Sequence, residues 1–366
     1  VKSLFYPAVL KEEWLEELSK IFDTRWLGQG PKVNEFEEEF SRKFDYNYCL
    51  ALNSGSSALE LAYHLVGIKE GDEVLTPIFT CTATNIPLKR RNANIKFIDI
   101  DDKLNPSFED IEKKITKNTK AIVVVNLGGI LHDRRIYDLA KMNNIPLIVD
   151  ACQSLGIEEP HGDYICYSFQ AIKHFTTGDG GMLVVKNKDE YDRAKILRWF
   201  GIDREKKIKN NWAWIVNHQM ALDIEEPGFK YHMNDIMATM GLVGLRNSDK
   251  LLEKRKEIAS VYFSMFNTKI PERYKYIPTI YGGSYWLFAI ITKNRNKMIE
   301  SLKSNGIESD PIQLRNDIFS IFGGKKQDLP NMNEMENKYL YIPMHINMTC
   351  EEAEEIANCI LTYERI

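Results

Sequence analysis

Between residues 48 and 186 short apolar runs alternate with amphipathic stretches, and the alternation predicts strands and helices in turn. β-Rich runs stand at 48–53, 72–77, 95–100, 121–127, 146–152, 164–169 and 181–185. Helical periodicity occupies 57–68, 107–116, 133–143 and 188–199. Near-continuous apolar strands spaced by helices predict an α/β unit whose mostly parallel, mixed sheet is covered on both faces. Residues 203–232 are polar and irregular, carry Trp212 and Trp214, and read as a long functional loop. A helical stretch follows over 233–266, with a break expected near Asn247-Ser248. One clear strand at 284–292, a helix at 294–304 and a last amphipathic helix at 350–363 predict a smaller α+β domain. The segment 1–30, with a helix at 11–21, is a lead-in able to pack on either part. The division expected is 1–245 for the lead-in and large domain and 246–366 for the small C-terminal domain.

A chain of 366 residues is too long for one ordinary core, which agrees with two domains. With 44% apolar and 27% charged residues it reads as soluble and globular. A net charge of -4 argues against a nucleic-acid partner, which needs a strong basic face. No apolar run approaches the ~18 residues of a membrane span. The six cysteines show no paired spacing and no clustering with histidine, so a zinc site is not expected and a reducing, cytoplasmic setting is the simpler reading.

The chemistry gathers where strands are expected to end. Asp150 closes the apolar run 147–149, and Lys173 follows 23 residues later, beyond the next strand. An acid and an amine so placed suit pyridoxal phosphate (PLP): the amine forms a Schiff base and the carboxylate holds the ring nitrogen protonated. Asn53-Ser54-Gly55-Ser56-Ser57 links a strand to a helix and can present N–H groups and hydroxyls to a phosphate, although taken alone it is an ordinary serine N-cap. Ser168 is placed to add a hydroxyl, and Gln153 a donor to the ring's 3′-oxygen. Gly178, Gly180 and Gly181 beyond Lys173 allow close approach around the Schiff base.

These residues in this order resemble the PLP-dependent sugar aminotransferases of the DegT/DnrJ/EryC1/StrS family. The resemblance runs from Gly30-Pro31-Lys32-Val33 through Ser54–Leu59, Asp150-Ala151-Cys152-Gln153, Ser168-Phe169 with Lys173, and Gly228–Ile236, to Leu340-Tyr341-Ile342-Pro343-Met344-His345. It implies the aspartate-aminotransferase (type I) fold, with Lys173 as the Schiff-base lysine and general acid/base, and Asp150 on the pyridine nitrogen. It also implies Gln153 on the 3′-oxygen and Ser56, Ser57 and Ser168 on the phosphate. A homodimer with shared sites is implied, Lys230 reaching the neighbour's phosphate where the family often has asparagine, and His232 standing where it often has arginine. Family members commonly stack an aromatic on the ring where this chain has Cys81, which leaves Phe79 or another group for that role.

Arg315-Asn316-Asp317 resembles a substrate-side segment of some members, and Arg315 is a candidate for a carboxylate or a sugar-nucleotide phosphate. A surface arginine is an equal reading. Trp212, Trp214 and Trp286 are candidates to frame sugar or base, with core packing the simpler reading of Trp286. The resemblance implies transfer of an amino group from L-glutamate, through pyridoxamine phosphate, to a nucleotide-diphosphate keto-deoxysugar. C4 of a 4-keto-6-deoxyhexose is the favoured position. A C3 aminotransferase acting on a 3-keto sugar, a PLP-dependent sugar dehydratase and a non-catalytic relative are the alternatives. Relatives of the dehydratase type replace the lysine by histidine, whereas this chain keeps Lys173.

Overall fold

The computed structural model describes residues 1–157, 161–269 and 283–363. All seven strands expected in the first half form: β1 (Tyr48–Leu52), β2 (Glu73–Pro77), β3 (Asn94–Ile98), β4 (Thr119–Val125), β5 (Leu147–Asp150), β6 (Tyr164–Ser168) and β7 (Gly181–Val185). They build one sheet in the order β1-β7-β6-β5-β4-β2-β3. Only β7 runs against its neighbours, so β1 is parallel to β6 and the carboxyl ends of β1, β2, β5 and β6 share one edge. Alternate residues feed two cores: Val124 and Val149 pack with Phe36, Phe40 and Phe169 on one face, Val123 and Ile148 with Leu59 and Tyr63 on the other. A sheet buried on both faces explains why its strands read as unbroken apolar runs.

Helices α1 (Lys11–Thr24), α2 (Pro31–Phe44), α3 (Gly55–Leu65), α4 (Thr82–Arg90), α5 (Phe108–Lys114), α6 (Arg135–Met142) and α7 (Lys188–Leu197) cover it. Ser54, Ser107 and Asn187 cap α3, α5 and α7, each side chain accepting an otherwise unpaired backbone N–H. Helix α2 begins at a proline and takes its cap from far along the chain: the buried Asp235 carboxylate accepts the N–H groups of Gly30, Lys32 and Val33. The expected irregular stretch after 203 contains a short helix, α8 (Arg204–Lys209), and a hairpin of β8 (Ile215–Val216) and β9 (Gln219–Met220). Asn217 and His218 turn that hairpin at φ of 50° and 62°, the left-handed pair a two-residue loop requires.

Helix α9 (Asp235–Lys269) is continuous, so the break expected near Asn247-Ser248 does not occur. Asn247 donates to the Val243 carbonyl and Ser248 to that of Leu245, so both side chains bond back into their own turn. The boundary expected between 245 and 246 therefore falls inside a helix. Leu251 still packs in the large-domain core, and the small-domain core takes over by Ile258. Beyond it lie β10 (Phe288–Ile291), α10 (Arg295–Ser304), α11 (Pro330–Met335), β11 (Tyr339–Ile342) and α12 (Cys350–Tyr363). Strands β10 and β11 pair antiparallel, so the strand expected at 284–292 is shorter and has a partner the apolar pattern did not reveal. Residues 270–282 and 364–366 of the expected small domain lie outside the described residues. The lead-in divides: Lys2 pairs with Ile307 of the small domain, while α1 lies against α9.

His132, buried beyond β4, engages Asn126 Oδ1 through Nδ1 and leaves Nε2 without a partner. Burial pushes its pKa down to about 4. The unfolded chain therefore binds a proton that the folded one refuses between about pH 6.5 and 4, and stability falls as pH drops through that window. Urea unfolding of His132→Gln should show that loss reduced by up to about 3 kcal/mol relative to the native protein.

Candidate active site

The shared carboxyl edge opens into a cavity of about 510 Å³ lined by Ser54, Gly55, Ser56, Thr80, Cys81, Asp150, Gln153, Ser168, Lys173 and Trp286, among others. The parts predicted from three separate strand ends thus meet on one wall system, where ligands of open α/β sheets collect.

Asp150, 3% exposed, ends β5. One oxygen accepts the Thr84 hydroxyl at 2.7 Å and the other the Cys152 N–H at 3.1 Å. Thr84 is itself paired with Thr80 at 2.8 Å. Neither the arginine nor the helix cap that would be ordinary partners for such a carboxylate holds it. Each oxygen keeps a free lone pair for a further donor in the cavity. The Gln153 side-chain oxygen accepts the Gly128 N–H at 2.7 Å, and its NH₂ end has no hydrogen-bond partner among the described residues.

At the start of α3, Ser54 accepts the Ser57 N–H, and the Ser57 hydroxyl donates to Asn53 at 2.7 Å. Ser57 is thus spent on the cap, and of the three serines expected at a phosphate Ser56 and Ser168 line the cavity while Ser57 does not. Gly55 is required here, because a Cβ would lie 2.8 Å from both Cys152 Sγ and Ser168 Cβ. Gly181 lets β7 pass against the Ser54 backbone, Gly178 adopts φ +83° in the turn, and Gly180, fitted against Thr177, lines the cavity with Lys173.

The Lys173 amine lies 3.7 Å from the centroid of the Trp286 ring and forms no salt bridge among the described residues. Burial lowers its pKa, with Asp150 opposing and Arg255 adding to the shift. Trp286 is 3% exposed and packs in the seam between the domains as expected, yet its ring also faces the cavity. Phe79 does not cover a cofactor ring: it is fully buried, edge-on to Tyr339 at 4.7 Å. Cys81 and Thr82 line the wall instead.

Arg315 is no substrate clamp. It is 2% exposed, and its five N–H donors are taken by Asp317 twice, Asn333, Glu336 and the Gln327 carbonyl. Its neighbours Gln313 and Phe319 do line the cavity. Trp212, Lys230 and His232 lie outside it. Trp212 packs edge-on to Trp199 at 5.9 Å, and the Lys230 amine is 5.1 Å from the Phe200 ring. The Nδ1 of His232 has no partner, and burial with Lys230 nearby takes its pKa down to about 4. Thr84 is a residue whose part in the site sequence reasoning missed, and Trp286 was named only as a candidate to frame sugar or base, not as a neighbour of the lysine. The Thr80-x-x-x-Thr84 spacing, which pairs the two hydroxyls across the start of α4, was the available signal for Thr84; no local signal marks the place of Trp286 beside the lysine.

A model of the DegT/DnrJ/EryC1/StrS aminotransferase family matches residues 8–361. The chain belongs to this family. It is 30% identical to the UDP-4-amino-4,6-dideoxy-N-acetyl-beta-L-altrosamine transaminase of Campylobacter jejuni, over 95% of this chain and 94% of the relative. With the GDP-perosamine synthase of Escherichia coli O157:H7 it shares 28% identity, over 98% and 97%. The sugar aminotransferase CalS13 from Micromonospora echinospora superposes with a TM-score of 0.90 at 25% identity, covering 99% of this chain and all of that one. The protein is a PLP-dependent sugar aminotransferase with the type I fold, and the cavity fits that cofactor. Around it stand a carboxylate with free lone pairs, a hydroxyl-lined helix start and, among the described residues, a carboxamide NH₂ without a hydrogen-bond partner and an amine without a salt bridge.

Thr84→Val removes a hydroxyl that orients Asp150 while keeping the shape. A hydrogen bond to a charged group is worth about 1.5–3 kcal/mol, so the variant should bind PLP about 10- to 100-fold more weakly in equilibrium titration.

Proposed function

We propose that the protein moves an amino group from L-glutamate to C4 of a nucleotide-diphosphate 4-keto-6-deoxyhexose, for the synthesis of aminosugars of surface polysaccharides. The observation that carries this reading is the convergence of Asp150, Gln153 and Lys173 on one cavity. The position C4 is supported by the Campylobacter relative, whose name carries a 4-amino-4,6-dideoxy sugar. Glutamate as donor rests on family analogy.

Bound PLP supplies an aldehyde for the amine and a ring that accepts the electron pair left when the donor loses its Cα proton. Lys173 would anchor the cofactor through its amine and, with that amine free, would accept and return the proton that the donor's Cα gives up. A proton carrier must be neutral to accept, and burial favours the neutral amine. Asp150 holds the pyridine N–H, with Thr84 and the Cys152 N–H keeping its oxygens in place. Gln153 donates to the 3′-oxygen. Ser56, Ser168 and the start of α3 receive the phosphate, where the helix dipole favours negative charge.

The enzyme works as a cytoplasmic homodimer. Lys230, exposed and directed away from its own cavity, meets the phosphate of the partner's cofactor, and Trp212 and His232 flank the partner's substrate. The Asn53 side chain donates to the Lys230 carbonyl at 3.1 Å, which ties this segment to the phosphate end of α3.

Incubation with glutamate and dTDP-, GDP- or UDP-linked 4-keto-6-deoxyhexoses, followed by NMR of the product, tests the reading. An amine at C4 from one of the three supports it. An amine at C3, or a deoxy-ketosugar without nitrogen, overturns it. Lys173→Ala should lower turnover at least 10⁴-fold, about the upper end of what a general acid/base supplies, since it also removes the covalent anchor.

A further inference from the structure

Residues 284–287 come from the C-terminal part of the chain but lie across the large-domain site. Ser284 N donates to the Gly129 carbonyl at 2.9 Å, Ser284 Oγ to the Gln153 carbonyl at 3.2 Å, and Leu287 N to Gly128 at 3.1 Å. Gly129, at φ +90°, permits this approach, since a Cβ there would lie 2.5 Å from Ser284 Oγ. Trp286 sits in the middle of the strap. Its indole N–H donates to the carbonyl of Ile172 at 2.8 Å, and its face carries the amine of the next residue, Lys173, at 3.7 Å. From behind, the buried Arg255 of α9 donates to the carbonyls of Tyr285, Trp286 and Met344 at 3.1–3.3 Å. The indole is therefore held by its own backbone and holds the lysine at two points.

We propose that Trp286 is a positioning residue for Lys173, its N–H fixing the turn before the lysine and its ring face seating the amine whenever that amine is not bonded to the cofactor. This rests on the cofactor reading above. A free amine in a cavity without an acidic partner would otherwise swing among rotamers. An aromatic face attracts its protonated form through the ring quadrupole and leaves the neutral form free to depart. The seat thus holds the proton carrier in its charged state and releases it in its reactive one. The other titratable groups around the amine are Asp150 at the end of β5, Cys152 just after it, Cys81 before α4, His174 next in the chain and Arg255 on α9.

The test uses the full-length protein loaded with pyridoxamine phosphate, which leaves the lysine amine unbonded. Trace acetylation at a series of pH values, read peptide by peptide by mass spectrometry, gives the titration midpoint of each lysine. Two perturbations weaken the ring face: Trp286→Leu, and replacement of all six tryptophans by fluorinated tryptophans, which keeps the shape and drains the quadrupole. The Lys173 midpoint should fall by about one unit in Trp286→Leu, roughly tenfold in the protonation equilibrium, and stepwise with the number of fluorines. Lys207, 3.5 Å from the Trp214 ring, serves as an internal control that should move in the fluorinated series but not in Trp286→Leu. A Lys173 midpoint that stays put or rises while Lys207 responds overturns the proposal. The fluorinated series decides alone if the leucine variant does not fold. Failure of the cofactor reading would show separately, as native protein that retains no pyridoxamine phosphate through gel filtration.

Discussion

An amine that faces an inner cavity and has no salt bridge among the described residues is the constraint on which this structure turns. Burying an ammonium costs several kcal/mol unless it is paired, so the group responds by losing its proton, by finding a π face or by forming a covalent bond. Burial lowers the Lys173 pKa and the amine lies over the Trp286 face, while the cavity before it offers room for the covalent bond. A salt bridge to Asp150 would have stabilised both charges and left neither for chemistry. Instead Asp150 is held by a threonine hydroxyl and a backbone N–H, which orient it without neutralising it.

The scaffold achieves this by gathering loops at one edge of a sheet that is fixed on both faces. Strands β1, β2, β5 and β6 deliver Ser56, Cys81, Asp150 and Ser168 to the same edge because only β7 reverses direction. The C-terminal part of the chain adds Trp286, from the strap 284–287, and Gln313 and Phe319 to the wall. Long helix α9 joins the two parts, with Asp235 at one end capping α2 and Arg255 farther along gripping the strap.

The sheet was legible in the sequence because its strands are buried on both faces and so read as apolar runs bounded by turns. Asp150 and Lys173 were legible because a charge just beyond such a run has few reasons to be there. What escaped depends on contacts between distant segments. No local pattern tells that Asn247 and Ser248 bond back into their own helix rather than end it. Arg315 looked available because its partners Asn333 and Glu336 lie 18 and 21 residues away, reached only after the chain folds back. Trp286 carries the same apolar signature whether it fills a core or lines a site, and here it does both. Ser56 and Ser57 were indistinguishable by composition; the hydrogen bond to Asn53 separates them.

Reduction of the PLP-loaded protein with sodium borohydride, followed by proteolysis and mass spectrometry, addresses the central claim most directly. The account predicts a pyridoxyl group on the peptide that contains Lys173 and on no other. A label on a different lysine, or none on PLP-saturated protein, would contradict it.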